Sequence, residues 1–241
     1  MQINDGFGGG HTISRNLGFN AVRETSDHSF FNSWNRNTYA WKQGAGGTDP
    51  LTTHVHHNLF VANYYSIVGI DNDDGSSAYD NTDNVLLYGG SKNLMGFSKR
   101  SEGNAMVYVD YTPGSAAGLS QRVGWSAPEQ KPPMCAGYIT SFPASTGLAD
   151  SWLNNTCIAT TSASFFRFQA CNSSNPLDGS IPVPLAGNHY YSTNASYQMK
   201  CGAEVWGLEE VQARGVDVGA TLHPLPTTQQ LLDMLGSLLQ M

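Results

Sequence analysis

Charged residues are scarce in this chain. They make up 13% of its 241 residues, against about 25% in a typical soluble domain. Lys and Arg form no cluster and the formal net charge is -7, so the sequence lacks the basic surface that nucleic-acid phosphates require. It also lacks an uninterrupted apolar run of about 18 residues, the length of a membrane-spanning helix. These shortages exclude nucleic-acid partners and predict no membrane-spanning helix.

Glycine and small polar residues are abundant instead. There are 26 glycines, and Asn, Ser and Thr are frequent throughout. These residues populate turns for conformational reasons, so the composition favours a turn-rich β structure over a helix bundle. The length suits one main all-β domain.

An Asn followed by a short apolar run recurs along the chain. The runs after Asn16, Asn58, Asn84 and Asn104 are the clearest copies, with a weaker one at Asn155. The best-defined copies start roughly 20 to 26 residues apart, the length of one coil of a parallel β solenoid. Stacked coils lie about 4.8 Å apart, so these asparagines are predicted to form a hydrogen-bonded ladder. A β-sandwich with Asn turns is the alternative, but sandwich strands alternate more strictly.

Two regions depart from this repeat. Residues 110–149, with five prolines among many small residues, are predicted to form a long inserted loop that could wall a cleft. Residues 226–241 contain a capping box at Thr227–Gln230 and leucines at helical spacing. We predict a C-terminal capping helix there that covers the open end of a solenoid domain spanning residues 1–225.

The second half of the chain carries four cysteines and three N-glycosylation acceptor motifs. The cysteines are Cys135, Cys157, Cys171 and Cys201, and the motifs begin at Asn154, Asn172 and Asn194. An even number of cysteines without zinc-site spacing indicates disulfides, and three pairings are open. Together these features predict a secreted glycoprotein. Residues 1–6 show no basic-then-apolar leader, so we expect a removed signal peptide or an N-terminally incomplete chain.

The densest functional signal is a group of three carboxylates within four residues. Asp71, Asp73 and Asp74 stand between an apolar run and a Gly-Ser segment. Carboxylates this close repel one another unless a metal, a ligand or a shared proton offsets the repulsion. A solvated turn is the alternative. The matching turns of the other copies carry one acid or none, so the excess of acid needs a functional explanation.

These segments together resemble the secreted right-handed parallel β-helix repeat proteins found among carbohydrate-active enzymes. The resemblance rests on residues 27–36, 70–77, 88–93 and 154–157, and on the Glu-rich segment followed by residues 215–219. It implies a right-handed parallel β-helix with a polysaccharide site on one face. In relatives we expect an Asp at position 35 and a His or apolar residue at position 72, where this chain has Asn35 and Asn72.

A solenoid in register would bring distant residues to one face. The predicted catalytic set is Asp71, Asp73, Asp74, Glu24, Asp27, His28, Arg36 and Lys92, and the predicted sugar-stacking set is Trp34, Tyr39, Trp41, Tyr64 and Tyr65. Glycoside hydrolysis needs two carboxyl groups across the scissile bond and is our first hypothesis.

Two other functions stay open. The second hypothesis is β-elimination of a uronate polysaccharide, with Ca²⁺ held by Asp71, Asp73 and Asp74 and Lys92 or Arg36 as base. The third is a non-catalytic glycan-binding or structural β-helix protein. In each case we expect a monomer whose partner is a glycan.

Overall fold

The protein is described here from a computed structural model. The structure describes residues 1–4, 9–22, 28–34, 41–44, 47–62, 66, 68–110, 134–139, 148–160, 164–168 and 184–239. Within these ranges the chain is mostly β structure arranged in three parallel sheets, with two α-helices. Neither helix has the length and apolar character needed to cross a membrane. The all-β prediction is confirmed.

Most strands belong to three sheets, called A, B and C, and are numbered in chain order. Sheet A contains β1 (Gln2–Asn4), β4 (Phe31–Trp34), β9 (Ile70–Asn72), β12 (Ser91–Asn93), β15 (Ala136–Ile139), β18 (Ser164–Phe168), β21 (Gln198–Cys201) and the antiparallel β22 (Glu204–Trp206). Sheet B contains β2 (Thr12–Ser14), β7 (Thr53–His56), β10 (Tyr79–Thr82), β13 (Lys99–Glu102), β16 (Ser151–Leu153) and β19 (Leu185–Ala186). Sheet C contains β3 (Leu17–Gly18), β8 (Leu59–Val61), β11 (Val85–Leu87), β14 (Ala105–Val107), β17 (Thr156–Ala159), β20 (His189–Ser192) and β23 (Thr221–His223). A separate hairpin joins β5 (Trp41–Gly44) to β6 (Gly47–Pro50).

The chain visits the sheets in a fixed order, A then B then C. Neighbouring strands of a sheet come from successive cycles and pair in parallel, as β10 does with β7 and β13, except that β22 pairs antiparallel with β21. This arrangement is compatible with a β-helix-like solenoid. Side chains in each strand alternate between the interior and the outer face of the sheet.

The predicted asparagine ladder is confirmed at the corner between sheets B and C. The backbone N–H and the side-chain Nδ2 of Asn58 both donate to Asn84 Oδ1, at 3.1 and 2.9 Å. The same pair of hydrogen bonds links every rung, which are Asn16, Asn58, Asn84, Asn104, Asn155 and Asn188. The ladder satisfies backbone N–H groups that the corner would otherwise bury without a partner.

The residue before each ladder asparagine has a left-handed backbone. The φ angles are 55° at Arg15, 54° at His57, 53° at Asp83, 66° at Gly103, 54° at Asn154 and 66° at Gly187. Residues other than glycine pay on the order of 1 kcal/mol or more for this conformation. The hydrogen bonds of the ladder offset that cost, so the sequence does not need a glycine at every corner.

The interior is a continuous apolar column formed by the inward side chains of the three sheets. Phe31, Ile70 and Leu86 are among its fully buried members. Cys135 and Cys157 form a disulfide inside it, with Cα atoms 6.1 Å apart. Cys201 is disulfide-bonded as well. The disulfide prediction is therefore confirmed, and the first pairing is now fixed.

The C-terminal helix forms as predicted, but it packs on sheet C and not at the predicted position over the open end. Helix α2 (Thr228–Leu239) follows the predicted capping box, in which Thr227 N donates to Gln230 Oε1 at 2.9 Å. Its leucines pack on the outward residues of sheet C, including Val85 and Val107, and not over the end of the stacked sheets. Its 12 residues span about 18 Å, which matches roughly four strand spacings. The apolar outer face of sheet C therefore determines where α2 packs.

Two further corrections concern the end cover and the inserted loop. Trp206 and Val211, from β22 and helix α1 (Leu208–Ala213), join the interior apolar cluster and cover the C-terminal end. Within the predicted loop 110–149, residues 136–139 form β15, which supplies the sheet A strand of its cycle. Parallel pairing with β12 and β18 overrides the loop-like composition of this segment.

Candidate functional site

The acidic stretch meets Lys92 on the outer face of sheet A. Asp71 lies in β9, directly opposite Lys92 of β12 in the parallel register. Lys92 Nζ is 3.4 Å from Asp71 Oδ1 and 2.8 Å from Asp73 Oδ1. One ammonium group therefore lies against two carboxylates. It supplies the positive charge that the sequence required to offset their repulsion.

The two carboxylates differ in access to solvent. The side chain of Asp71 is 0% exposed and that of Lys92 is 6% exposed, whereas that of Asp73 is 20% exposed. Asp73 begins the turn after β9, where its N–H donates to Ser33 O at 2.7 Å and its carbonyl accepts from Ser76 N at 2.9 Å. Asp74, next in this turn, is also partly exposed. A ligand would therefore reach the cluster from the side of Asp73.

The strand before the acids extends the same outer face. Asn32 of β4 lies opposite Asp71, and His28 Nδ1 is 3.0 Å from Asn32 Oδ1. Trp34 ends β4 and is partly buried. Because strand side chains alternate, Trp34 shares the outward side with Asn32 and lies one coil before Asp73. The structure thus brings His28, Trp34, Asp71, Asp73 and Lys92 to one region.

Asn72 has a structural role that the sequence did not reveal. It points inward, where it accepts from Ser33 Oγ at 3.0 Å and donates to Asn93 Oδ1 at 3.0 Å. Asn93 in turn donates to Asp150 Oδ2 at 3.3 Å. Asn72 therefore belongs to a hydrogen-bonded stack beneath the site, and its side chain lies on the opposite side of β9 from Asp71.

A second ion pair lies within this buried stack. Lys99 Nζ is 3.1 Å from Asp150 Oδ2, and both side chains are 0% exposed. Burial lowers the pKa of Lys99, and the charge of Asp150 opposes that shift. Lys99 also donates to the backbone carbonyls of Ser76 and Met95. Sequence reasoning missed this pair because the two residues are 51 positions apart and only the coil register joins them.

The remaining predicted residues cannot be placed against this cluster. Glu24, Asp27, Arg36, Tyr39, Tyr64 and Tyr65 lie outside the described residues. Trp41 belongs to β5, and only its backbone is described. Their predicted roles stay predictions.

The metal prediction gains no support from the described residues. Within them, no group of three or more His, Cys, Asp or Glu side chains is arranged to hold a metal ion. Between Asp71 and Asp73, the ammonium of Lys92 already supplies a cationic partner. The residues as placed therefore do not fit a Ca²⁺ ion, which prefers six to eight oxygen ligands.

The outer face of sheet B carries a comparable but open charge network. Arg100 Nε is 3.3 Å from Asp80 Oδ1, and His54 Nδ1 is 3.3 Å from Asp80 Oδ2. Arg100 also pairs with Glu102 at 2.5 Å. These side chains are 23% to 50% exposed, so this network is more open to solvent than the cluster on sheet A.

A cavity of about 380 Å³ lies apart from both charge clusters. It is formed by Tyr191, His223, Pro224, Leu225, Pro226, Gln230 and Met234, between sheet C and α2. Tyr191 and His223 stack there with ring centroids 5.0 Å apart. None of the predicted site residues lines it.

Comparison with known proteins found no relative of this chain. No protein-family model, no curated protein and no solved structure matches the chain. The function must therefore be inferred from the geometry of the described residues.

Proposed function

We propose that the chain is a secreted right-handed parallel β-helix that acts on a polysaccharide as a glycoside hydrolase. The observation that carries the proposal is the pair of carboxylates, Asp71 and Asp73, held by Lys92 on the outer face of sheet A. Right-handed winding is proposed because parallel crossovers in one sheet are right-handed in about 98% of cases. Exposed sequon residues Asn154 and Asn194 support exposure to the secretory pathway.

The spacing of the two carboxylates supports this reaction. The oxygens of Asp71 and Asp73 that both contact Lys92 Nζ are at most about 6 Å apart, a limit that includes the roughly 5 to 5.5 Å of retaining glycosidases. In such enzymes one carboxyl group protonates the leaving oxygen and the other attacks the sugar.

Each residue of the cluster has a proposed role. Asp73, at the exposed edge, is the carboxylate that meets the sugar. Asp71, fully buried behind it, is the second carboxyl group, which substrate binding must expose. Lys92 positions Asp73 through a hydrogen bond of 2.8 Å. Trp34, on the preceding coil, offers an indole face on which a sugar ring can stack.

A second candidate is favoured by the burial of the cluster. Asp71 is fully buried and Lys92 nearly so, as expected of an ion pair that holds the fold. This favours a non-catalytic glycan-binding or structural β-helix. The lyase has less support, because Lys92, the proposed base, already contacts two carboxylates.

A polysaccharide panel separates these functions. The protein is incubated with neutral, sulfated and uronate polysaccharides, and new reducing ends and unsaturated products are measured separately. We expect reducing ends without unsaturation. The variant Asp73→Asn should lose at least about a hundredfold in rate, whereas Asp80→Asn, an aspartate in the exposed network of sheet B, should retain the wild-type rate.

The other outcomes are equally informative. Unsaturated products would replace the hydrolase with the lyase. Glycan binding without any product would establish the second candidate, and equal activity of Asp73→Asn and wild type would remove the cluster from the mechanism.

A further inference from the structure

The inner side of sheet B holds an amine against a carboxyl group. Lys99 begins β13, and Asp150 directly precedes β16, the neighbouring strand. Because the register pairs Arg100 with Ser151, Lys99 and Asp150 lie side by side on successive cycles. Lys99 Nζ is 3.1 Å from Asp150 Oδ2, and both side chains are 0% exposed. A nitrogen nucleophile and a carboxyl carbon are therefore held together away from water.

Hydrogen bonds fix both oxygens of this carboxyl group. The backbone N–H of Lys99 donates to Asp150 Oδ1 at 2.9 Å, and Asn93 Nδ2 donates to Asp150 Oδ2 at 3.3 Å. Such donors stabilise the negative charge that develops on oxygen when a nucleophile adds to the carbon.

The amine is also close to the carbon that it would attack. Asp150 Cγ lies one C–O bond of about 1.2 Å beyond Oδ2, so Lys99 Nζ is at most about 4.3 Å from Cγ. Reacting atoms at the start of such an addition are about 3 to 3.5 Å apart. A small movement of the Lys99 side chain therefore brings the two atoms into reach.

The surroundings of Lys99 suit the uncharged amine. An ammonium group has three N–H donors, and those of Lys99 reach Asp150 Oδ2, Ser76 O and Met95 O. When one proton moves to Asp150, the other two stay on the backbone carbonyls and the nitrogen lone pair faces the carboxyl group. Burial lowers the pKa of Lys99, although the charge of Asp150 opposes this shift. The neutral pair avoids the cost of two charges buried without water.

We propose that Lys99 and Asp150 condense spontaneously into an intramolecular isopeptide bond. A proton first passes from the Lys99 ammonium to Asp150 Oδ2, which gives a neutral amine and a neutral carboxylic acid. The nitrogen lone pair then adds to Asp150 Cγ, the N–C bond forms, and charge develops on Oδ1 beside the Lys99 N–H. When the carbonyl reforms, the Cγ–Oδ2 bond breaks and the hydroxyl leaves with the proton that the nitrogen loses. The products are one amide and one water molecule, so the step needs no oxidant or co-reactant.

The bond would tie together the two cycles with the longest insertion between them. Lys99 and Asp150 are 51 positions apart, as are Asn104 and Asn155, the most widely separated neighbours in the asparagine ladder. A cross-link that closes a long loop restricts the unfolded chain. This role does not depend on the glycan proposal.

Lys92 provides an internal contrast. Its Nζ contacts two carboxylates, at 3.4 Å from Asp71 Oδ1 and 2.8 Å from Asp73 Oδ1, and the side chain of Asp73 is 20% exposed. The second carboxylate favours retention of the ammonium proton, and water reaches Asp73. We therefore expect condensation at Lys99 and not at Lys92.

Mass spectrometry of the intact protein tests the proposal. The protein is produced in a host without N-glycosylation, and its disulfides are reduced before measurement. We expect a mass lower than that of the sequence by one water molecule. After trypsin digestion, fragmentation should identify residues 93–100 joined to residues 123–167 through Lys99 and Asp150, because trypsin does not cleave after an acylated lysine.

Two matched variants assign the nucleophile. Lys99→Arg keeps a positive charge but replaces the amine with a guanidinium that is not deprotonated in proteins, so this variant should have the full mass of its sequence. Lys92→Arg should still lose one water molecule. The fragmentation of the wild-type protein decides the question even if Lys99→Arg does not fold.

Three results would overturn the proposal. A wild-type protein with the full sequence mass would show that Lys99 and Asp150 remain an ion pair. Loss of ammonia in place of water, with the link at Asn93, would assign the acyl group to that amide. Loss of water that persists in Lys99→Arg would place the condensation elsewhere in the chain.

Discussion

The outer faces of sheets A and B carry the same kind of ion pair in different surroundings. Lys92 lies opposite Asp71 between β12 and β9, and Arg100 lies opposite Asp80 between β13 and β10. The side chains of the first pair are 6% and 0% exposed, and those of the second are 46% and 23% exposed. One strand geometry thus produces both pairs, and they differ strongly in burial.

This difference changes what each pair does energetically. Exposed ion pairs contribute about 0 to 1 kcal/mol because water competes for both charges. A buried pair loses hydration on both sides, and removal of one partner leaves an uncompensated charge that costs roughly 3 to 5 kcal/mol. We therefore expect the buried pair on sheet A to contribute to stability and to the candidate site. The exposed network on sheet B should contribute little to stability.

Removal of the two cations should give the largest contrast. Lys92→Met leaves Asp71 buried without its ammonium, so the free energy of unfolding should fall by roughly 3 to 5 kcal/mol. Arg100→Met should cost at most about 1 kcal/mol. Urea unfolding followed by circular dichroism measures both values.

A rescue variant identifies the cause of that loss. If the buried charge of Asp71 is responsible, Asp71→Asn in the Lys92→Met background should recover most of the lost stability. Equal losses for Lys92→Met and Arg100→Met would contradict the assignment. Loss without rescue would assign the effect to the packing of the Lys92 side chain.

The second contrast is a smaller one, the effect of salt on the stability cost of the same two substitutions. Screening acts strongly on exposed charges and weakly on buried ones. The cost of Arg100→Met should therefore shrink toward zero in about 1 M NaCl, where the Debye length is about 3 Å. The cost of Lys92→Met should stay nearly constant, and a parallel decline of both would show that solvent reaches the pair on sheet A.

The repeat made much of the fold predictable from the sequence. The Asn-plus-apolar unit predicted the ladder because hydrogen bonding between identical rungs requires the same residue at each corner. Spacing did not reveal Asn188 as a rung, since insertions make successive coils unequal. The separations along the ladder range from 20 to 51 residues.

The site was predictable only in part. Adjacent coils juxtapose Asp71 and Lys92, so the acidic excess and the repeat together indicated this pair. The burial of Asp71 was not predictable, because it depends on what covers sheet A. The position of α2 was missed because leucines at helical spacing predict an apolar face without naming the surface that it contacts.

The smallest expected effect is a pH dependence of stability that arises from His56 on sheet B. His56 and His57 share a hydrogen bond between their Nδ1 atoms at 2.9 Å, which needs one nitrogen to be unprotonated. Burial, and then the neighbouring charges of His57 and Arg15, lower the pKa of His56 from its ordinary value of 6.5. As the pH falls, the unfolded chain therefore binds more protons than the folded chain. The contribution of His56 to stability is complete above pH 6.5 and declines as the pH drops through 6.5 toward the lowered pKa. Urea unfolding at about pH 8 and pH 5 should show a decline in stability that His56→Gln reduces. A decline of equal size in His56→Gln would assign the pH dependence to other groups.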